Sequence, residues 1–346
     1  MIQGDRLLVR AADVLVREQF DVRPGEGVLI TADPRTQAAL LDALLSAILR
    51  VDGRPVVATI PQLPFQGALA DPYLPDSLAA AAAEADVWLD LTFPYLAGSA
   101  LHDRAMKARR ARYALLATAD ADSFSRLYGG VDFGALMNYQ MAMVEYLDGK
   151  AGAAGRFTCP LGTDVGFTLD KVKLKRERVA RTPGMHTVPG AQSLYPILNS
   201  VTGRIVLQAM FDEHYRLLRR PVSIEVDGRL RDFAGAAAED SLRLDRALRR
   251  AGGGQGYGFL IHFTMGFHPA ARLTGANFIE DIRALGTNAI GMGLPWWEPG
   301  GGENHPDGVV LDQSLWIDGE AIVEAGRIVG PASLMRLYEH VQQVFA

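Results

Sequence analysis

Seven histidines are present, and only some stand where a metal ion or a transferred proton could use them. His262 lies in the apolar run GFLIHFTMG, where an imidazole must be hydrogen-bonded or coordinated to offset its lost hydration. That position alone does not separate a core histidine from a ligand. His305 and Asp307 form H-P-D in the polar, glycine-rich GGGENHPDG. In an extended segment residues i and i+2 point the same way, so one metal ion can take both. H-x-D by itself is a weak signal, because any loop can contain it. With His262 added, the set is two imidazoles and one carboxylate. It fits one face of an octahedral ion, leaving the opposite positions open for substrate and dioxygen, and it fits a hydrolytic zinc equally well. Spacing does not choose between them.

The other histidines read differently. His102, His214 and His340 fall in polar helical stretches and suit surface or capping roles. His186 sits in PGMHTVPG, a loop by its glycines and prolines, and His268 stands four residues before Arg272 as a candidate for a pocket rim. Phe93, Tyr95, Trp296 and Trp297 are the aromatic residues that could wall a flat ring.

Composition narrows the class. A chain of 346 residues exceeds one ordinary compact core and suggests two, with a cleft between them. A net charge of −5 without a Lys/Arg stripe argues against a nucleic-acid partner, whose phosphates demand dense positive charge. The run KVKLKRERVAR at 171–181 reads as a solvated face or a strand edge. The single cysteine, Cys159, excludes a disulfide framework and a cysteine-based zinc site and suits reducing cytoplasm. The first residues, MIQGDRLLVRAADVLVREQ, alternate charged and apolar residues at helical spacing, unlike a signal peptide or a membrane span.

The elements that must position these residues divide in two. Over 1–150, GVLIT (27–31), PVVATI (55–60), DVWLDL (86–91) and RYALLAT (112–118) alternate with helical patterns at 35–51, 76–85, 99–110 and 133–148. Strand, helix, strand repeated this way predicts an α/β domain with a mostly parallel sheet. No G-x-G-x-x-G follows the first strand, so a dinucleotide fold is not expected. GGGQGYG (252–258) follows a helix and precedes a strand, which is a C-cap and turn rather than a phosphate cradle.

From 151 to 346 the pattern turns to strands and Gly/Pro turns, with FTCPLG, DVGFTLD, GRIVLQAM, PVSIEVDGRL, YGFLIHFTMG and LWIDGEAIVEAG as strand candidates. Helices are expected near 239–251 and 277–285. This predicts an α+β domain with a curved antiparallel sheet, joined to the first by the small, flexible KAGAAG at 150–155.

The second half resembles the thermophilic leucyl aminopeptidases of the aminopeptidase T type. The shared motifs, in order, are GTD (162–164), PGAQSLYP (189–196), HFTMGFHP (262–269), EDIRALGTNAIGMG (280–293), NHPD (304–307) and WIDGEAI (316–322). The resemblance covers roughly the last two hundred residues, with a weaker match before them, and implies a two-domain protein with a metal site facing the interdomain cleft. Where those enzymes carry a ligand Glu in PGGE, this chain has Gln192. A second ligand Glu, in E-x-G-x-G-x-N-P, corresponds to His262, and the His of GT-x-H-x-A-x-G corresponds to Ala289. An amide and an alanine do not replace a carboxylate and an imidazole around two hard dications, so a paired-metal peptidase is not expected.

One branch of the superfamily keeps a His, His, Asp set. These are the 2,5-dihydroxypyridine 5,6-dioxygenases, iron(II) ring-cleaving enzymes. The chain resembles that branch at YGFLIHFTMG and at HPD followed by LWIDG, which implies Fe(2+) on His262, His305 and Asp307. The same resemblance implies that His186 stands by the substrate as proton acceptor and that Tyr95 and Leu96 line the pocket. With Gln192 and Trp296 these are the expected substrate contacts. A small hydroxylated aromatic, N-heterocyclic substrate and dioxygen are then the partners, and a cytoplasmic homo-oligomer is expected. The alternatives are a single-metal Zn or Mn hydrolase or peptidase on the same scaffold, with Glu303 as base, and a degenerate paralogue that binds a small aromatic ligand without turnover.

Overall fold

The computed structural model describes residues 3–174, 176–297 and 305–343. Two compact units emerge. One is the chain up to Met137 together with Arg176–Pro189; the other is Asn138–Lys175 with Gly190–Gln343.

The first unit is built on β1 (Gly27–Ala32), β2 (Arg54–Thr59), β3 (Val87–Asp90) and β4 (Arg112–Leu115), with helices Ala38–Leu49, Asp76–Glu84 and Ala100–Lys107 between them. β1 and β3 are apolar almost throughout and buried almost throughout, as strands covered on both faces must be. Leu29, Trp88, Leu96, Leu101 and Tyr113 share its core. At the end of β3 the carboxylate of Asp90 is wholly buried. It accepts from Thr31 Oγ1 at 2.8 Å, Thr92 Oγ1 at 2.6 Å, Tyr113 Oη at 2.6 Å and the Leu96 amide at 2.9 Å. Four donors of this kind offset the burial of a carboxyl group.

In the second unit come β5 (Ala154–Thr158) and β6 (Asp164–Thr168). The following strand, β7 (Gly184–Thr187), belongs to the first sheet and pairs in parallel with β4. That sheet therefore runs β2-β1-β3-β4-β7, parallel throughout. β7 is the PGMHTVPG segment read from sequence as a loop. Four half-buried residues between Gly/Pro boundaries carry no alternation for a sequence reading to detect.

The chain continues with β8 (Ala191–Leu194), β9 (Thr202–Phe211), β10 (Tyr215–Asp227), β11 (Arg229–Ala234), helix Ala238–Ala251 and β12 (Phe259–Gly266). Then come β13 (Asn288–Gly293), β14 (Asp307–Val310), β15 (Ser314–Ile317), β16 (Glu320–Glu324) and β17 (Arg327–Ile328). The second sheet is antiparallel, in the order β17-β16-β15-β5-β6-β9-β14-β13-β12-β8, and β10 joins β9 to β11. Phe263 of β12 packs against Phe157 and Phe167 at centroid distances of 5.4 and 4.7 Å. The predicted curved antiparallel sheet is present, with four strands the sequence reading did not name: β8, β13, β14 and the two-residue β17.

The helix expected near 277–285 is shorter, Phe278–Asp281. Beyond its C-cap, Ile282, the chain is drawn into a bridge between Ala284 and His268 and then turns through Gly286, at a φ of +80°, to enter β13. The basic run at 171–181 forms no strand among its described residues. No described helix is long and apolar enough to cross a membrane.

Candidate metal centre

Strand register brings the first two groups together. His262 of β12 stands opposite Gly291 of β13, which stands opposite Asp307 of β14. Residues directly opposite in an antiparallel pair point to the same face. His262 and Asp307 therefore flank a residue with no side chain, across a span of about 10 Å between their backbones. The two meet above it, with His262 Nε2 3.5 Å from Asp307 Oδ1. A Cβ at Gly291 would lie 2.2 Å from His262 Nε2, so the imidazole occupies the room that any other residue would fill.

A β-bulge aims His262. Leu260 pairs with Met292 and His262 with Gly291, so Ile261 is one residue more than β13 can match. An extra residue of this kind kinks the strand and re-aims the side chains beyond it. His305 arrives from the loop side. The following proline keeps it extended, and Pro306 is tied to β13 by its carbonyl, which accepts from the Met292 amide at 3.0 Å. His305 Nε2 is 3.6 Å from Asp307 Oδ2, and the His262 and His305 rings are perpendicular with centroids 5.5 Å apart. One donor atom from each of the three residues lies within 4.8 Å of the others.

The electrostatics suit a cation. Burial, with the neighbouring His305, pushes His262 down to about 3, while a backbone hydrogen bond to Ala289 pulls the other way. The ring is thus neutral and keeps a lone pair for a ligand. Burial pushes Asp307 up to about 6, with His305 pulling it down. Asp281 in the same unit is equally buried but accepts from Thr274 N and Oγ1, Gly275 N and Tyr215 Oη. Asp281 is a structural carboxylate, whereas Asp307 faces two imidazoles. Donors on adjacent positions of an ion bound at about 2.1 Å stand about 3 Å apart, so closing this set, whose donor atoms lie within 4.8 Å of one another, on one ion takes side-chain shifts on the order of an ångström. Two imidazoles and a carboxylate therefore fit a single metal ion, and among the described residues no fourth ligand joins the group.

Aromatic rings continue from the cluster. Tyr195 lies 6.4 Å from the His262 ring, Trp297 meets Tyr195 edge-on at 5.1 Å, and Trp296 meets Trp297 at 5.4 Å. Sequence reasoning named Trp296 and Trp297 and missed Tyr195 and Gly291. For Gly291 a signal existed, since GT-x-H-x-A-x-G has alanine at the position this chain fills with glycine. Gln192 is buried on β8 opposite Met265, out of step with His262, and by strand alternation lies on the other face. Its Oε1 is buried without a hydrogen-bond partner.

Tyr95, Leu96 and His186 lie in the first unit. Leu96 is wholly buried in that core, and Tyr95, beside it, is half-buried. His186, on β7, packs edge-on against Phe20 at 5.7 Å, and its Nε2 is 3.0 Å from the Thr182 carbonyl. Burial lowers its pKa, with Thr182 and Glu177 opposing. His268 is fully buried and accepts the Ala270 and Ala271 amides at Nδ1, which makes it a cap on its own turn. Glu303, the base of the hydrolase alternative, lies outside the described residues.

The fold and donor set define the class: an aminopeptidase T-like scaffold with one His-His-Asp cluster in its antiparallel sheet. Residues 13–330 match the NicX family, 2,5-dihydroxypyridine 5,6-dioxygenase, and the chain belongs to that family. Two solved structures share the fold. One is the 2,5-dihydroxypyridine dioxygenase of Pseudomonas putida KT2440, with TM-score 0.72, 18% identity, and 96% of this chain and 100% of that one covered. The other is AmpT of Thermus thermophilus, with TM-score 0.64, 14% identity, and 94% and 99% covered. No curated protein matches in sequence.

Proposed function

We propose that the chain is a mononuclear non-heme iron(II) dioxygenase that opens the ring of a 2,5-dihydroxypyridine-like substrate in an extradiol-like manner. The observation that carries this reading is the convergence of His262, His305 and Asp307 on one point, in a chain of the dihydroxypyridine dioxygenase family. A ferrous ion held there would supply the chemistry that joins dioxygen to an electron-rich ring at neighbouring coordination positions.

The protein's own groups do the rest. Asp307 would offset the positive charge of the ion, and the imidazoles of His262 and His305 would hold it beside the carboxylate. Trp297 and Trp296, both half-buried, offer flat apolar surface for an aromatic ring, backed by the buried Tyr195. His186, Tyr95 and Leu96 keep the roles the resemblance implies, and His186 would take the substrate's hydroxyl proton. With Nε2 engaged by the Thr182 carbonyl, Nδ1 is the atom that would receive it.

Metal analysis of anaerobically purified protein, followed by oxygen uptake with 2,5-dihydroxypyridine and other hydroxylated aromatic acids, tests the reading. Iron with substrate-dependent uptake supports it. Zinc with amide cleavage and no uptake would replace it with the hydrolase.

A further inference from the structure

We propose that Thr264 and Ser193 form a hydroxyl relay that positions His262 for the metal ion; the inference rests on the metal reading above. An imidazole has two nitrogens, and His262 turns Nε2 toward Asp307. Its other nitrogen, Nδ1, is 3.2 Å from Thr264 Oγ1, which in turn is 2.8 Å from Ser193 Oγ. Both relationships follow from strand geometry. Thr264 is two residues beyond His262 on β12 and shares its face, and Ser193 of β8 stands directly opposite Thr264.

The hydroxyls give the relay a direction. With Nε2 presenting its lone pair to the ion, the ring proton resides on Nδ1 and is donated to Thr264 Oγ1. The Thr264 hydroxyl proton is then free to be donated to Ser193 Oγ. His262 and Thr264 are both buried, so bulk water does not replace these partners. Threonine suits the middle position because its branched Cβ restricts the side-chain rotamer. The edge strand β8 thus contributes a hydroxyl to the cluster, although Gln192, its residue singled out from sequence, lies on the other face. The Ala289 carbonyl is a rival acceptor for the ring proton, and the experiment separates the two.

Wild type and the variants Thr264→Val, Thr264→Ser, Ser193→Ala and His262→Ala are titrated with Co²⁺ alone, reading its visible d–d absorption, and the metal-free forms are melted. Thr264→Val is expected to lose about tenfold to a hundredfold in affinity and to shift the Co²⁺ bands. Thr264→Ser restores both, and Ser193→Ala loses about threefold to tenfold. Wild-type affinity and bands in Thr264→Val, with binding lost in His262→Ala, would overturn the relay and leave the metal reading intact, with Ala289 as sufficient acceptor. Wild-type binding in His262→Ala would instead defeat the metal reading. Should Thr264→Val not fold, Ser193→Ala decides, and unchanged affinity there overturns the relay.

Discussion

The imidazole of His262 lies over Gly291, in space that a Cβ would enter to within 2.2 Å of Nε2. Gly291→Ala must displace the ring or spread the strands. Metal affinity should fall roughly tenfold or more, with a stability loss of about 1–3 kcal/mol for overpacking a buried site. Titration with Co²⁺ and a thermal melt check both, and an alanine variant with unchanged affinity would mean that the ring does not need this position.

His262→Ala and Asp307→Ala each remove one of three donors. Both variants should emerge from anaerobic purification with less than a tenth of the wild-type metal content. Elemental analysis settles this, and full metal content in either would place the ion elsewhere.

Acid should release the ion through Asp307 rather than through His262. Asp307 is raised to about 6 and His262 is lowered to about 3. Below about pH 6 the carboxylate binds a proton that the ion must displace, while the imidazole stays neutral until far lower. Affinity should therefore be level above about pH 6 and drop roughly tenfold per unit beneath it. Metal titrations between pH 5 and 8 test this, and an affinity that stays level down to pH 5 contradicts it.

Trp297 and Trp296 offer the ring surface nearest Tyr195. Trp297→Ala should raise KM roughly threefold to tenfold with kcat little changed, and Trp296→Ala should raise it less. Oxygen-electrode kinetics on the iron-loaded variants make the comparison. A fall in kcat at constant KM would remove the tryptophans from ground-state binding.

His186→Ala should retain iron and lose rate. A general base contributes about a hundredfold to ten-thousandfold, so turnover should drop within that range at unchanged metal content. Full turnover in the variant would take His186 out of the mechanism.

Much of this was legible in the sequence because it is local. The alternating strands and helices of the first unit follow from hydrophobic periodicity. The H-x-D pair follows from i, i+2 geometry in an extended segment. The register that sets His262 and Asp307 on either side of Gly291 is a long-range property, fixed by pairings among strands that lie tens of residues apart. β13 and β14 hid in glycine-rich sequence with little alternation, and the bulge at Ile261 leaves no mark in composition. β7 escaped for a related reason, since it joins a sheet whose other strands end about seventy residues earlier in the chain.

His262 and Asp307 come from strands that are not hydrogen-bonded neighbours, and β13 runs between them. An ion gripped by both would act as a rivet through three strands, joining β12 to β14 over the bare backbone of Gly291. The slow breathing of this patch and the escape of the ion would then become a single event, so a protein that keeps its cargo would also be stiffest where it holds it.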